Sequence, residues 1–598
     1  MTGYIVESLK LSQVKISGYL NQRYIGNIKY LLQVLDDHEK FMLDAYRKRK
    51  RRIDEEQWDG EYAGKWLDAA SKAAANTGDV LLLKKVNSFA RLFRSLQESD
   101  GYMGIEDKEH KGKATWDIWN QWYALTGLIT HYEQLNNKDS LISAKRTGEW
   151  IINNYEVVKD SKDAFFKSAH NGGCNVDIID QLIRLYKHNK KKEILKFVKA
   201  ISKHYPPIKK MRNSGKVLIE LPFENNDSMT ENSLQNPKNV YMMHAYVLFA
   251  YLGGLVELAS VERNKDELQW LESVWEDILE NHLYPTGGCA FRERLREDSP
   301  NDSPDDEQQE TCATVEWLLL NHRLYKSTIK VKYMHMMEKI IYNTLFAAQS
   351  RNGMKWSYYT PLRYHKRRFS GPTKCCYWSG PRGVAMLPEL IYAKNDKNIY
   401  INIFEESKAE FFHIQEKIII NQITDYPISG KIYIEINLSN NIEFALNIRI
   451  PQHSRSANLS INSKSKVFNN TDGKYISLHR KWSDGDSIEI NFDIPTILQQ
   501  MKNYGVIVCR GTEIMAMDSR DNEKFVIDSL NIDRVEIPED IKLIPWGTID
   551  GRRIYKGKVV INNEYKEMIF TPYAEAGEDM SCFRTVFPKN QKIKKGEM

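Results

Sequence analysis

The stretch LIRLYKHNKKKEILKFVKAISKHY, residues 182–205, shows the pattern that decides the fold of the longer part of this chain. Its apolar residues recur at i, i+3, i+4 and i+7, the spacing of a helix that buries one face. Loops rich in Gly, Asn, Asp and Pro separate such windows. The region from about 15 to 395 is therefore predicted to be a toroid of paired helices. Similar amphipathic windows lie around 62–97, 118–136, 140–155, 240–260, 266–281, 312–326 and 333–349.

After Asn398 the pattern becomes that of a β protein. Segments such as KIYIEINL, EFALNIRI and SIEINFDI alternate apolar with polar residues and are rich in β-branched side chains. Glycine-containing turn signals separate them, which predicts one or two β-sandwiches. The residues before about 15 are expected to join this β region. We predict four parts: a helical domain over 1–395, a β-sandwich over 396–500, a second β-rich domain over 501–585 and a charged tail over 586–598.

Composition limits the partners of the chain. With 598 residues, 42% hydrophobic and 27% charged, it has the composition of a soluble multidomain protein. A net charge of +6 is too small to indicate a nucleic-acid partner, and the basic run 47–52 is expected to be a solvated helix face. The chain has neither a long apolar run nor a signal-like N-terminus, so we expect no membrane partner and a cytoplasmic location, unless a leader has been removed. The oligomeric state stays open, a homodimer being one option.

Two adjacent cysteines, Cys375 and Cys376, follow a Glu310-Thr311-Cys312 triplet in the chain. Neighbouring cysteines seldom bond to each other, because their Cα atoms are only about 3.8 Å apart. The seven cysteines are odd in number and irregularly spaced, which argues against a disulfide framework. Three thiolates and one carboxylate would suit a single tetrahedral Zn²⁺. Two unrelated buried thiols and a surface carboxylate fit the spacing equally well.

Longer phrases around these residues resemble one enzyme family. YNTLFAAQSRNGMKWSYYTPLRYHKRRFSGPTKCCYWSGPRGVAMLPELIY (342–392), YPTGGCAFRERL (284–295) and ETCATVEWLLLNHRLY (310–325) are similar to the β-L-arabinofuranosidases of glycoside hydrolase family 127 and its relatives. Segments 112–132 and 244–259 extend the resemblance over most of the chain. It implies a multidomain α+β fold, an (α/α)₆ barrel followed by β-sandwich domains, in agreement with the periodicity.

The resemblance also implies a zinc site and a nucleophile. The zinc ligands would be Glu310, Cys312, Cys375 and Cys376, and Cys375 would be the nucleophile of a retaining exo-glycosidase. A free thiol has a pKa near 8.5, and coordination to Zn²⁺ deprotonates it without a separate base. The expected carbohydrate substrate is a β-L-arabinofuranoside or a related plant-polysaccharide sugar, cleaved through a thioglycosyl intermediate.

The general acid/base of the family lies between the TGG turn and the ETC triplet. That interval contains Glu293, Glu297 and Glu307. We favour Glu293, because some relatives carry an aromatic residue shortly before this glutamate, and Phe291 stands there in this chain. Glu297 is the reserve. A surface carboxylate paired with its flanking arginines is the alternative for Glu293.

Further residues are candidates for lining the cleft. Glu61, Lys65 and Trp66 lie in the phrase GEYAGKWL, which fits an ordinary helix start as well. Tyr377 and Trp378 stand where the best-known relatives have Pro-Pro-Asn, and these rings are expected to reshape the pocket beside the metal. Matches to the family suggest sugar contacts at His244, Trp119, Gln121, Tyr123, Asn175 and Asp177, and a satisfied core histidine is the alternative for His244. Tyr359 follows the Trp356-Ser357-Tyr358 stretch and is a further candidate for the pocket.

Two other functions remain open at this point. A polysaccharide lyase or unsaturated-uronide hydrolase on an (α/α)₆ barrel would need a Tyr/His or Asp constellation, and it leaves the cysteines unexplained. A non-catalytic carbohydrate-binding protein would use the zinc only structurally. A glutamate within reach of Cys375 discriminates between these functions, because a purely structural metal site needs none.

Overall fold

The computed structural model describes most of the chain. The charged tail beyond 587 and the reserve residue Glu297 lie outside the described residues. The described ranges are 3–49, 57–157, 164–170, 172–205, 208, 211–212, 244–295, 307–363, 369–454, 456–469, 473–501, 505–522, 535–578 and 581–587.

Fourteen α-helices are described between residues 19 and 385, with a π-helical turn, Ile341–Leu345, before the thirteenth. In chain order they are α1 (Tyr19–Lys48), α2 (Glu61–Thr77), α3 (Val80–Ser95), α4 (Asp117–Leu135), α5 (Lys138–Asn154), α6 (Gly173–Val176), α7 (Ile179–Asn189), α8 (Lys192–His204), α9 (Ala245–Glu262), α10 (Lys265–Asn281), α11 (Thr311–Thr328), α12 (Val331–Ile340), α13 (Phe346–Ala348) and α14 (Cys375–Ala385).

Six of these helices form a closed inner ring. Around the ring, α2 contacts α4, α4 contacts α7, and α9, α11 and α14 follow until α14 packs against α2 again. An outer helix packs against each inner one: α3 on α2, α5 on α4, α8 on α7, α10 on α9, α12 on α11, and α1 on α14. This arrangement is an (α/α)₆ barrel, and the predicted fold class is confirmed.

The sequence of each helix matches its layer. Inner helix α9, AYVLFAYLGGLVELASVE, is apolar on all sides and nearly all of it is buried, whereas outer helix α8 buries a single stripe. In the described part of the chain, α9 is also the one helix long and apolar enough to cross a membrane. Because 89% of it is buried among other helices, α9 is best explained as a core helix.

Two sheets follow the barrel and face each other as a β-sandwich. One has the strand order β1-β3-β4-β8-β11 and the other β10-β9-β12-β7-β6-β5-β2. Residues of β5 alternate between buried and exposed, as expected for a sheet that covers a core on one face. The strands are β1 (Glu7–Ser8), β2 (Val14–Ile16), β3 (Tyr392–Lys394), β4 (Asn398–Ile401), β5 (Ser407–His413), β6 (Glu416–Thr424), β7 (Lys431–Leu438), β8 (Ile442–Arg449), β9 (Ser456–Ile461), β10 (Lys464–Asn469), β11 (Tyr475–Trp482) and β12 (Asp486–Phe492).

The N-terminus belongs to this sandwich, because β1 pairs with β3 and β2 pairs with β5. A third region carries the remaining strands. The boundary expected at 500 falls inside β13, which pairs with β14 along its whole length, so this region begins at Thr496. Its strands are β13 (Thr496–Met501), β14 (Gly505–Arg510), β15 (Glu513–Asp518), β16 (Val535–Glu536), β17 (Ile544–Ile549), β18 (Arg552–Ile561), β19 (Glu564–Pro572), β20 (Phe583–Arg584) and β21 (Val586–Phe587).

Both β regions pack against the barrel. Arg449 of β8 and Glu338 of α12 form a buried ion pair between sandwich and barrel, with Arg449 Nη1 3.1 Å from Glu338 Oε2. From the third region, Tyr573 donates a hydrogen bond of 2.8 Å to the carbonyl of Thr360, in the loop that follows Tyr358 and Tyr359. The third region therefore supports a loop that reaches the barrel end described next.

Candidate functional site

Five inner helices begin around one cavity of about 570 Å³. Each contributes side chains from its first turn or from the residue before it, as Glu61 does for α2 and Cys375 for α14. The cavity is lined by Trp58, Glu61, Lys65, Trp116, Trp119, His170, His244, Tyr246, Arg292, Glu293, Arg294, Glu307, Glu310, Cys312, Tyr358, Tyr359, Thr373, Lys374 and Cys375.

The four predicted metal ligands lie together, and we call them the thiol–carboxylate cluster: Glu310, Cys312, Cys375 and Cys376. Their donor atoms all lie within 4.8 Å of one another. The Sγ of Cys376 is 3.2 Å from that of Cys312 and 3.6 Å from Glu310 Oε1, and the Sγ of Cys375 is 4.0 Å from the same oxygen. The second carboxylate oxygen, Glu310 Oε2, is buried without a hydrogen-bond partner. The cluster can hold a metal ion.

Helix ends supply a positive field at this cluster. Glu310 precedes the first residue of α11, and the two adjacent cysteines open α14. The N-terminus of a helix carries a partial positive charge that favours anionic side chains, thiolates among them. Hydrogen bonds from Cys312 and Cys376, together with the nearby charge of Lys65, hold the pKa of the Cys375 thiol well below its usual value. Burial and the charges of Glu293 and Cys375 raise the pKa of Glu310.

One tyrosine joins Glu293 to Cys375. The hydroxyl of Tyr358 donates a short hydrogen bond to Glu293 Oε1 and lies 3.5 Å from the Sγ of Cys375. Two groups that share one hydroxyl are at most two hydrogen-bond lengths apart. That spacing is comparable with the ~5–5.5 Å between the two carboxyl groups of an ordinary retaining glycosidase.

His244 lies on the other side of Glu293, with its Nε2 3.3 Å from Glu293 Oε2. Burial alone would raise the pKa of Glu293. The hydrogen bond and charge of His244, with the hydrogen bond from Tyr358, outweigh burial and lower this pKa. The backbone of Glu293 adopts a left-handed conformation, φ +69°, and its carbonyl accepts a hydrogen bond from the N–H of Ala245. The loop is thus fixed to the start of α9.

A buried ion pair forms the floor of the cavity. Lys65 Nζ lies 2.9 Å from Glu61 Oε1, and the side chains of both are only 1% exposed. Trp119 donates a hydrogen bond of 2.9 Å from its indole nitrogen to Glu61 Oε2. Burial raises the pKa of Glu61 to about 7, although the charge of Lys65 opposes this. The ion pair therefore lies at a deeply buried end of the cavity.

Of the seven predicted sugar contacts, His244, Trp119 and Tyr359 line the cavity, and the other four do not. Gln121 lies two residues after Trp119 on α4, so it points to the opposite side of the helix and contacts Asp117. Tyr123 lies one turn below Trp119, under the ammonium group of Lys65 at 4.6 Å. Neither side chain lines the cavity, and sugar contact at these two positions stays a prediction.

Asn175 and Asp177 also lie behind the cavity wall. The side-chain amide of Asn175 donates a hydrogen bond of 2.9 Å to the carbonyl of Phe165. Asp177 is fully buried, and burial together with the charges of Asp180 and Glu316 raises its pKa. Neither residue lines the cavity. Asn175 lies on the short helix α6 and Asp177 directly follows it, and sugar contact at these two positions stays a prediction.

The rings of Tyr377 and Trp378 do not line the cavity either. They lie two and three residues after Cys375 on α14 and pack against α1 and α2. Trp378 stacks on Tyr62 with ring centroids 5.2 Å apart, and the hydroxyl of Tyr30 donates to the carbonyl of Tyr377. The expectation that they reshape the pocket is wrong. Trp66 is likewise a core residue, while Glu61 and Lys65 of the same phrase do reach the cavity.

Sequence reasoning missed several lining residues. The sequence pointed to Tyr359 and not to its neighbour Tyr358. The N–H of Thr311 donates a hydrogen bond to the carbonyl of Tyr358, and this contact places Tyr358 beside the start of α11. His170, Trp58 and Trp116 precede helices or lie in loops, where periodicity gives no signal. The one available clue was that Trp58 and Trp116 are aromatic residues shortly before the start of an inner helix.

Comparisons with known proteins agree with this geometry. Residues 19–389 match the model of the β-L-arabinofuranosidase GH127 catalytic domain, and residues 398–494 match that of the GH127 middle domain. A curated relative, a non-reducing end β-L-arabinofuranosidase from Bifidobacterium longum subsp. longum, is 20% identical over 476 residues, which cover 72% of this chain and 70% of the relative.

Solved structures show the same fold. A GH127 β-arabinofuranosidase superposes with a TM-score of 0.79 at 20% identity, covering 99% of both chains. A GH127 β-L-arabinofuranosidase from Geobacillus stearothermophilus T6 superposes with a TM-score of 0.78 at 17% identity, covering 96% of this chain and 99% of the other. The family models together span most of the chain. The protein is therefore a glycoside hydrolase that belongs to family 127, the β-L-arabinofuranosidase family.

Proposed function

We propose that this protein is a zinc-dependent, retaining exo-glycosidase that hydrolyses β-L-arabinofuranosides, or a related plant-polysaccharide sugar, through a thioglycosyl intermediate on Cys375. The single observation that carries the proposal is the position of Cys375. Its sulfur belongs to the thiol–carboxylate cluster and also faces the cavity, where Tyr358 joins it to Glu293.

The cluster fits zinc by its chemistry. Three sulfurs and one carboxylate are the donors that Zn²⁺ prefers, and the unpartnered Glu310 Oε2 is a buried acceptor that calls for a cation. Zinc, when bound by Glu310, Cys312, Cys375 and Cys376, would keep the thiols deprotonated near neutral pH. Elemental analysis of protein produced with zinc, before and after chelation, is expected to find one zinc per chain, lost on Cys312→Ala with Cys376→Ala.

In the first half-reaction the thiolate of Cys375 attacks the anomeric carbon. A carbon–sulfur bond forms while the bond to the leaving oxygen breaks, and the electron pair of that bond stays on the oxygen. Glu293, carrying a proton in this step, transfers it to the leaving oxygen. The negative charge of Cys375 favours this protonated form, because it raises the pKa of Glu293 against the effect of His244.

In the second half-reaction Glu293 acts as the base. It takes a proton from water as the water oxygen attacks the anomeric carbon and the carbon–sulfur bond breaks. The electron pair returns to Cys375, and the two inversions together give retention of configuration. The lowered pKa of Glu293 suits this step, since the group must start it as a carboxylate.

An exo mode of action follows from the shape of the cavity. Glu61 and Lys65 close its floor, so that a chain end can enter but an internal sugar cannot pass through. Their charges provide hydrogen-bonding partners for the hydroxyl groups of a terminal sugar.

The alternatives carry less support. A purely structural zinc site would have no need of Glu293, which shares the hydroxyl of Tyr358 with Cys375.

The decisive experiment offers a panel of aryl and alkyl glycosides of L-arabinofuranose and related sugars and follows the product anomer by NMR. We expect β-L-arabinofuranosides to be cleaved with the β anomer formed first. Initial release of the α anomer, or no activity on any glycoside of the panel, would contradict the proposal.

A further inference from the structure

Two tryptophans at the mouth of the cavity have no part in the chemistry proposed above. Trp58 lies shortly before α2, and Trp116 is the residue that precedes α4. Both line the cavity, and both side chains are only half-buried. A large apolar ring that stays partly in water contributes less to the core than a buried one, so its position at the rim of a pocket indicates contact with a ligand.

The exposed fractions of the lining side chains show which end of the cavity is deep and which end is open to solvent. The side chains of Glu61 and Lys65 at the floor are 1% exposed, that of His244 is 10% exposed, and that of Glu293 is 33% exposed. A terminal sugar attacked by Cys375 therefore lies deep in the cavity. Its leaving oxygen faces Glu293, and the group attached to that oxygen extends toward the mouth.

A row of rings connects the two tryptophans with Glu293. The ring centroids of Trp58 and Trp116 are 5.6 Å apart, those of Trp116 and His170 are 5.6 Å apart, and those of His170 and His244 are 4.4 Å apart. His244 in turn contacts Glu293. The tryptophans thus lie on the same wall as the residue that protonates the leaving group.

The rings are also held in place. Trp119 and His170 meet Trp116 at interplanar angles of 83° and 85°, which supports this ring from two sides. Trp58 shares a hydrogen bond with Tyr62, whose hydroxyl donates to the carbonyl of Thr373 at 3.0 Å. The planes of Trp58 and Trp116 are inclined by 58°, so together they form an angled surface.

We propose that Trp58 and Trp116 bind the sugar ring of the leaving group. This inference rests on the proposed function. A sugar ring has apolar C–H faces and a polar edge, and tryptophan offers a large flat apolar surface that loses little side-chain entropy on binding. The cavity, at about 570 Å³, has the size of a site for a ligand larger than one five-membered ring.

The kinetic test compares two substrates that differ only in the leaving group. Methyl β-L-arabinofuranoside lacks the second ring, and a disaccharide with a terminal β-L-arabinofuranosyl unit has it. For Trp116→Ala we expect kcat/KM to fall about tenfold on the disaccharide and less than about twofold on the methyl glycoside. Trp116→Phe should keep most of the activity, and Trp546→Ala, which removes an exposed ring of the third region, should change nothing.

Equal losses on both substrates, or an unchanged rate on the disaccharide, would overturn the inference. Trp58→Ala is a second variant for the case in which Trp116→Ala does not fold, and it should show the same selective loss.

A binding measurement keeps this inference separate from the proposed function. Calorimetry on Glu293→Gln, titrated with either glycoside, should show tighter binding of the disaccharide, and Trp116→Ala in that background should remove the difference. If the unmodified protein cleaves neither glycoside, the proposed function is wrong. In that case a retained preference for the disaccharide that depends on Trp116 still supports the sugar site, and the absence of a preference overturns it.

Discussion

Two buried polar clusters of this protein differ in how completely their groups are paired. Between barrel and sandwich, both carboxylate oxygens of Glu338 accept hydrogen bonds from Arg449, and Tyr426 donates one more at 2.9 Å. We call these three residues the interface cluster. In the thiol–carboxylate cluster, by contrast, Glu310 Oε2 has no partner and three sulfurs crowd around the other oxygen.

The difference separates a structural cluster from a functional one. Buried polar groups in folded proteins are normally paired, because an unpaired one loses its hydration without compensation. The groups of the interface cluster are paired, as this rule requires, and the cluster connects the barrel to the sandwich. The thiol–carboxylate cluster departs from this rule at the end of the barrel where helix N-termini favour negative charge, and this departure supports the cation site and the reactive thiol proposed above.

The largest effect is expected when the nucleophile is removed. Cys375→Ala should lower kcat/KM by at least about 10⁴-fold, because the proposed mechanism assigns the bond to the anomeric carbon to this sulfur. Steady-state kinetics on a β-L-arabinofuranoside measure this loss. Cys509→Ala is the matched control, since this free cysteine lies in the third region and burial raises its pKa to about 11. Turnover above about 1% in Cys375→Ala would exclude the mechanism.

The acid/base comes next. Glu293→Gln should slow the cleavage of glycosides with poor leaving groups by roughly 10²–10⁴-fold and affect activated aryl glycosides much less, because these need no proton. A series of leaving groups of graded pKa measures the difference. The control is Glu307→Gln, which removes another carboxylate of the cavity, one paired with Arg292 at 2.5 Å. Equal losses across the series would rule out Glu293 as the acid.

A substitution in the interface cluster should lower the stability of the protein and leave its catalytic activity unchanged. Arg449→Met leaves Glu338 buried without its partner, and we expect the free energy of unfolding to fall by about 3–5 kcal/mol. Denaturant unfolding measures this change, while the folded protein should keep its kcat/KM. Arg480→Met, which removes a more exposed ion pair with Asp486, should cost less than about 1 kcal/mol. A selective loss of activity in Arg449→Met would mean that the two clusters are coupled.

A smaller effect should appear as the pH falls. Burial lowers the pKa of His453 to about 4, and the charge of Arg449 acts in the same direction. The unfolded chain has a histidine pKa near 6.5, so it binds this proton first and stability declines as the pH falls from about 6.5 toward 4. Above that window the contribution is complete. Thermal unfolding at a series of pH values should show a shallower decline in His453→Gln than in the exposed control His479→Gln. Parallel curves for the two variants would refute this assignment.

Much of the fold could be predicted from the sequence. Helical periodicity located the windows of α8 and α9, and alternation located strands such as β7, because burial on one face leaves a pattern that needs no knowledge of the partner. Closure of the inner ring is different. It depends on contacts between helices far apart in the chain. The succession of helices and loops indicated a toroid, and the family resemblance indicated that the toroid is an (α/α)₆ barrel.

The site was predictable where residues are adjacent or belong to a motif. The ETC triplet and the cysteine pair identified the thiol–carboxylate cluster, but the sequence did not show which candidate sugar contacts line the cavity, because helix phase decides the orientation of each side chain. Gln121 is two residues from Trp119 and therefore points away from the cavity. Tyr358 reaches Glu293 because a loop crosses the start of α11, a long-range contact that leaves no local signal.

The functional difference between the two clusters depends on whether Cys375 reacts with a sugar. An epoxide or haloacetamide analogue with the configuration of β-L-arabinofuranose, incubated with the zinc-loaded protein, tests this directly by intact mass and peptide mapping. We expect one adduct per chain, on the Sγ of Cys375, and protection by substrate. An adduct on Glu310 or Cys376 instead, or full labelling in the presence of saturating substrate, would contradict the account.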